Sequence, residues 1–294
     1  MANITAQMVA KLREITNSGM MECKKALVET NGDIDKAIEL IRIKSGTKAS
    51  KMADRIAAEG IVAVYISEDC RAASLVEINC ETDFVAKDIN LINFTNEVAK
   101  TITKNHISTI EQLLPLELYP NKTVEQARSE LVATLGENIS IRRFKYLHTD
   151  GCIASYIHGK KIGVLVELSG SNHMQLGKDI AMHIAANKPI CVSKNEVSAV
   201  QIEQEKNIYI QQASQSGKPA EIVAKMVDGR INKYLSEITL LGQAFVKNQD
   251  ITVEQALLAA KTAVKSFTMF VVGEGIEKKI IDYASEVASV TQTK

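Results

Sequence analysis

The sequence predicts an α+β fold: a three-helix bundle first, then two related subdomains, each an antiparallel sheet backed by helices, with an antiparallel helical hairpin inserted in the second. Three observations predict it. Apolar residues recur at helical spacing over residues 4–44. From Ile56 the pattern changes to short β-rich runs. The strand, strand, helix order of residues 60–103 then returns over residues 151–184, which makes an internal repeat.

Hydrophobic residues are 46% and charged residues 24% of the 294, the balance of a globular chain that can bury a core, and the length suits two or three compact units. Basic and acidic residues number 35 each. No Lys/Arg block offers a face to phosphates, and with no Trp and 4% aromatics there is no platform for stacking bases, so direct nucleic-acid contact is not expected. The five cysteines, Cys23, Cys70, Cys80, Cys152 and Cys191, form no Cys-x-x-Cys and no His/Cys pair at zinc spacing. Buried reduced thiols and no cofactor or metal are expected. No run of about 18 apolar residues and no basic-then-apolar start occurs, so no membrane span and a cytoplasmic location are expected.

Residues 1–54 read as the helical domain with its linker. Ile4, Met8, Val9, Leu12 and Ile15 make the first apolar stripe, Asn17-Ser18-Gly19 breaks it, and Met20, Cys23, Ala26 and Leu27 make the second. Asp33 can cap a third helix carrying Ile34, Ala37, Ile38 and Ile41. Three such helices in about forty residues resemble a UBA-like bundle. Ser45 to Asp54, small and basic, reads as a linker turning into a short helix. Residues 55–147 form the first subdomain, with strands at 60–66 and 73–78 and a helical stretch from about Phe84 to Thr103. Residues 148–294 form the second. Gly60 matches Gly151, Tyr65 matches Tyr156, and Glu77 matches Glu167. Residues 197–241 read as a coiled-coil-like hairpin turning at Ser216-Gly217-Lys218-Pro219, whose narrow seam pairs with itself or meets a partner. A helical module is expected over 250–294.

Chemistry within the chain finds little support. The phosphate loop G-x-x-x-x-G-K-[ST] is missing, and Asn187-Lys188-Pro189-Ile190 lacks the aspartate of a guanine-reading pattern. His148, Cys152, His158 and His183 fit no metal-ligand spacing and no nucleophile elbow. An adaptor that binds without further action is the other alternative.

Two segments carry a specific resemblance. Thr16-Asn-Ser-Gly19-Met20-Met21-Glu22-Cys23-Lys24-Lys25-Ala26-Leu27 and Glu77-Ile-Asn79-Cys80-Glu81-Thr82-Asp83-Phe84-Val85-Ala86-Lys87 resemble the two signatures of the elongation factor Ts family. Matches continue through Gly136-Glu137-Asn138, through 180–189 and through Val272–Lys278, in family order along the whole chain. The resemblance implies a non-enzymatic exchange factor whose partner is the GTPase elongation factor Tu. It implies a wedge, Thr82, Asp83, Phe84 and Val85, that enters the partner near its Mg²⁺ site. It also implies a docking face of Arg13, Met20 and Met21, and further contacts at Leu135, Gly136, His158 and Lys178. Taken alone, Asp83 reads as a helix cap, Phe84 as core, and Met20 and Met21 as core methionines. Asp179 stands where the family often has a basic or imidazole side chain, and Ala244 where it commonly has proline before the Phe. Self-association through the hairpin or the core is also an expectation.

Overall fold

The computed structural model describes residues 4–16, 18–170, 173–214 and 219–277. Helices α1 (Ala6–Thr16), α2 (Met20–Glu29) and α3 (Ile34–Met52) pack around Leu12, Cys23, Ala26, Leu27 and Ala37. Asp33 caps α3, its carboxylate accepting from the Lys36 amide at 3.1 Å. The expected linker at 45–54 is instead mostly helix. Lys44, Lys48 and Lys51 share one face, while Ser45 and Ala49 are buried, so α3 runs straight through to Met52.

The core is two three-stranded antiparallel sheets. In the first, β2 (Ala72–Cys80) lies between β1 (Glu59–Ile66) and β5 (Ser140–His148). In the second, β7 (Ile162–Leu168) lies between β6 (Cys152–His158) and β10 (Val264–Val271). Helix α4 (Ile89–Asn105) covers the outer face of the first sheet through Leu91, Phe94, Val98 and Ile102; α7 (Met174–Asn187) covers that of the second through Ile180 and Ile184. The inner faces meet over Val62, Ala73, Leu75, Ile153, Leu165 and Phe270. Gly163 leaves room there for Leu75.

The repeat is deeper than two hairpins. After α4 come α5 (Ile110–Leu113), the ribbon β3 (Glu117–Tyr119) and β4 (Lys122–Thr123), and α6 (Val124–Leu135). The second half answers with β8 (Ala244–Phe245), β9 (Asn248–Thr252) and α10 (Val253–Ala259). Thr-Val-Glu-Gln-Ala occurs at both 123–127 and 252–256, and each copy forms the same capping box, Thr123 with Gln126 and Thr252 with Gln255. Gly60 and Gly151 are matched for one reason: a Cβ at either would collide with the carbonyl oxygen of the neighbouring strand, Ile78 or Leu168. Each third strand also carries a bulge opposite the matched glutamate. Arg142 and Arg143 face Glu77, and Lys265 and Ser266 face Glu167.

The halves clasp each other reciprocally. The Val62 amide donates to the Lys160 carbonyl in the β6–β7 turn at 2.9 Å, and the Ile153 amide donates to the Cys70 carbonyl in the β1–β2 turn at 2.8 Å. Both turn residues have positive φ, Cys70 at 58° and Lys160 at 59°. Equivalent groups used twice give the isologous pattern of a two-fold interface, here within one chain.

The helical module expected from residue 250 is corrected. Among the described residues from 250 on, only Val253–Ala259 is helical, and Val264–Val271 is the strand that completes the second sheet; residues 278–294 lie outside the described residues. Between α7 and β8 stand α8 (Ala199–Ser214) and α9 (Ala220–Ile238). They touch through Gln201 on Tyr234, 2.9 Å, and Arg230 on Gln212, 2.9 Å; the turn expected at 216–219 falls largely outside the described residues.

Candidate partner-docking site

The loop after β2 is built to stand out from the protein. Thr82 starts a short 3₁₀ turn, Val85–Lys87: its carbonyl accepts from the Ala86 amide at 3.2 Å and its hydroxyl from the Val85 amide at 3.4 Å. Val85 leans on the first core and Ala86 is buried in it. The turn therefore has an anchored side, and Phe84 points the other way, 79% exposed. A phenylalanine left in water forgoes roughly 1.5–3 kcal/mol of burial. Phe84 is thus not core, and the cap of α4 is Asp88, whose carboxylate accepts from the Asn90 amide at 2.8 Å, not Asp83.

Asp83 is exposed and pairs with Lys87, Nζ to Oδ2 2.6 Å, one helical turn on. That hydrogen bond holds the Asp83 carboxyl below its ordinary pKa, so it is ionised at neutral pH. The Lys87 ammonium also lies 5.9 Å from the Phe84 ring centre. An exposed pair of this kind contributes little to stability and is readily exchanged for a stronger cation.

The loop is held from behind by the turn after α6. Gly136, in the left-handed region at φ 76°, ends that helix and turns the chain so that Glu137 faces the loop. One Glu137 oxygen accepts from the Glu81 amide at 3.1 Å and the Thr82 amide at 3.0 Å; the other accepts from the Thr82 hydroxyl at 2.6 Å. Glu81 answers by accepting from the Asn138 amide at 2.7 Å, and Asn138 Nδ2 reaches the Ala53 and Arg55 carbonyls at 3.1 and 2.8 Å. Beneath, the Cys80 thiol donates to the Thr82 carbonyl at 3.1 Å; burial, then the Glu137 charge, raises its pKa to about 12, so it stays an unreactive thiol.

The structure brings the Leu135-Gly136 turn and the His158 hairpin toward this loop. Lys161, next to that hairpin's tip, binds Glu59 at 2.7 Å and the Gly60 carbonyl at 3.1 Å, and Glu59 pairs with Cys80 across β1 and β2. His158 is exposed, with its ring nitrogen 3.2 Å from the Tyr156 hydroxyl. Two groups stand apart. Lys178 is exposed on α7, on the outer face of the second sheet. Arg13, Met20 and Met21 line a groove of about 640 Å³ across α1 and α2, with Ile4 and Val9; Met20 and Met21 are 58% and 63% exposed, so neither is core. Asp179 is accommodated by Lys247 at 3.4 Å and Gln175 at 3.2 Å, and Ala244 takes an edge position in the β8–β9 ribbon. Glu81, Glu137 and Asn138 lie within the matched segments but carry no role implied by the resemblance; two carboxylates beside an exposed turn were the available signal. Among the described residues no cluster of metal-ligating side chains occurs and no helix is long and apolar enough to cross a membrane.

An uncovered aromatic thus stands beside an ionised carboxylate on a turn fixed from two sides. The comparisons place the chain among the translation elongation factors. A family model described as Elongation factor TS matches residues 81–274. A Chromobacterium violaceum protein named Elongation factor Ts is 57% identical over 292 residues, covering 99% of this chain and 100% of that one. Proteins of the same name from Nitrosospira multiformis and Nitrosomonas eutropha are 56% and 52% identical, over 100% of this chain and 98% and 100% of theirs. The chain belongs to the elongation factor Ts family.

Proposed function

We propose that the chain is a guanine nucleotide exchange factor, without covalent chemistry of its own, that works in the cytoplasm on elongation factor Tu. The groove at Arg13, Met20 and Met21 docks on the partner's GTPase domain. The loop Thr82–Val85 enters beside its nucleotide site, displaces Mg²⁺ and releases GDP so that GTP can bind. Leu135, Gly136, His158 and Lys178 supply further contacts. The observation that supports this reading is the 79% exposure of Phe84 on an otherwise anchored turn.

The energetics set what the loop must do. A nucleotide held at about nanomolar affinity and associating at about 10⁶ M⁻¹s⁻¹ leaves at about 10⁻³ s⁻¹. Turnover near 10 s⁻¹ needs about 10⁴-fold acceleration, roughly 5.5 kcal/mol of preference for the emptied partner. By linkage, GDP must weaken binding of the factor by the same ratio. Burying Phe84 in a slot that opens only when the partner shifts supplies roughly 1.5–3 kcal/mol. The Asp83 carboxylate, exchanging Lys87 for the cations that hold phosphate and Mg²⁺, contributes part of the rest.

The test is stopped-flow release of fluorescent GDP from preloaded elongation factor Tu. Phe84→Ala is expected to keep the fold and most of the binding while slowing release at least about tenfold. An unchanged rate would move the wedge elsewhere.

A further inference from the structure

We propose that Glu137 is a positioning residue for exchange: its carboxylate pre-orders the Thr82–Val85 turn so that Phe84 meets the partner already aimed. The proposal rests on the exchange reading above and deepens it.

The Glu81 and Thr82 amides and the Thr82 hydroxyl all converge on this one side chain, at 3.1, 3.0 and 2.6 Å. Those donors belong to Glu81, which leads into the wedge, and to Thr82, its first residue. Phe84 itself is exposed, its ring centre 5.9 Å from the Lys87 ammonium. Its direction is therefore set at its base. One side chain taking three donors fixes a turn, and a turn fixed before encounter loses less freedom when it binds. The brace also has a footing. Asn138 hands the arrangement on to the Ala53 and Arg55 carbonyls where the helical bundle joins the core, and its amide holds Glu81. The wedge is thereby referenced to the bundle that carries the Met20 and Met21 groove. Within the wedge the hydrogen bonds of Glu137 go to Thr82, the residue at its base, so it acts through the loop.

Two measurements on the full-length chain test this. Amide hydrogen exchange in the free factor is expected to quicken at Glu81 and Thr82 by at least about tenfold in Glu137→Ala and to stay unchanged there in Phe84→Ala. Protection unchanged by Glu137→Ala would overturn the proposal whatever the partner does. The second is a double-mutant cycle on GDP release at saturating factor. Glu137→Ala is expected to slow release about tenfold alone and less than about twofold in the Phe84→Ala background, because the brace has nothing left to aim. Equal factors in both backgrounds, or no effect in the first, would overturn it. Glu137→Gln, whose amide can still accept from the two backbone N–H groups and donate to the Thr82 hydroxyl, is expected to stay within about threefold of wild type. A glutamine variant as slow as alanine would overturn positioning in favour of the charge itself. Faster amide exchange in Glu137→Ala together with undiminished release by Phe84→Ala would sink the wedge reading instead, so the two failures are told apart.

Discussion

His183, fully buried on α7, shows how a residue with no place in the docking surface can set a measurable property. The Val246 amide donates to its Nδ1 at 3.2 Å, so Nε2 carries the proton and donates to Gln243 Oε1 at 2.8 Å. Gln243 in turn donates to the Glu237 carbonyl, 2.6 Å, which ties α7, the end of α9 and the β8 ribbon together. Burial lowers the His183 pKa below its ordinary 6.5, with the Gln243 bond opposing. A base depressed in the fold binds its proton more readily unfolded, so its contribution to stability is complete above pH about 6.5 and is lost as pH falls through that value toward the folded pKa. The melting temperature is expected to drop between about pH 7.5 and about pH 5, and His183→Gln is expected to flatten that slope. Equal slopes would assign the pH dependence to other groups. The same scale shows what local patterns leave out. The signature segments marked the wedge, yet the residues alone suggested a cap and a core aromatic. Exposure depends on what packs over a turn, and no neighbouring residue in sequence records that Phe84 has nothing above it.

At the level of elements, the hairpins β1–β2 and β6–β7 were legible from alternation and from the matched glycines. The third strands β5 and β10 were not. In β5 the bulge at Arg142 and Arg143 breaks the two-residue period, and in β10 the bulge at Lys265 and Ser266 does the same. Charged side chains in these strands serve buried or half-buried glutamates, so polarity there signals an interior role that a hydrophobic count misreads. The continuation of α3 was missed for a related reason: small residues read as a linker, although Ser45 and Ala49 are small because α6 lies close against α3. The α8–α9 pair is the element with least inward packing, and Val200, Ile208 and Ile222 are exposed on it. We propose that it serves self-association or peripheral partner contact. Replacing residues 199–238 by a short flexible link is expected to leave GDP release within about twofold of wild type while altering any concentration-dependent oligomerisation seen by light scattering. Complete loss of exchange would place this pair in the exchange machinery.

Across the whole molecule, one carboxylate joins the two halves. Glu77, with no exposed surface, accepts from Arg142 at 3.0 Å, from Arg143 at 2.6 Å and from the Gly273 amide at 2.8 Å. Arg143 extends the tie to the Val271 carbonyl and the Glu274 carboxylate, and stacks 4.4 Å from the Phe270 ring centre. Glu77→Ala would leave two guanidinium groups and a buried amide without their acceptor, and is expected to reduce stability to urea by about 3 kcal/mol. A loss below about 1 kcal/mol would mean that the apolar layer between the sheets suffices alone.

The two halves secure the leads into their third strands differently. In the second half the Thr262 hydroxyl donates to the Ser169 carbonyl at 2.6 Å, and Ser169 and Ala263 are joined by two further hydrogen bonds. There the lead into β10 is fastened to the end of β7 through two neutral hydroxyls. Three donors gathered on the one Glu137 carboxylate concentrate rigidity on the half that displays an aromatic to its surroundings.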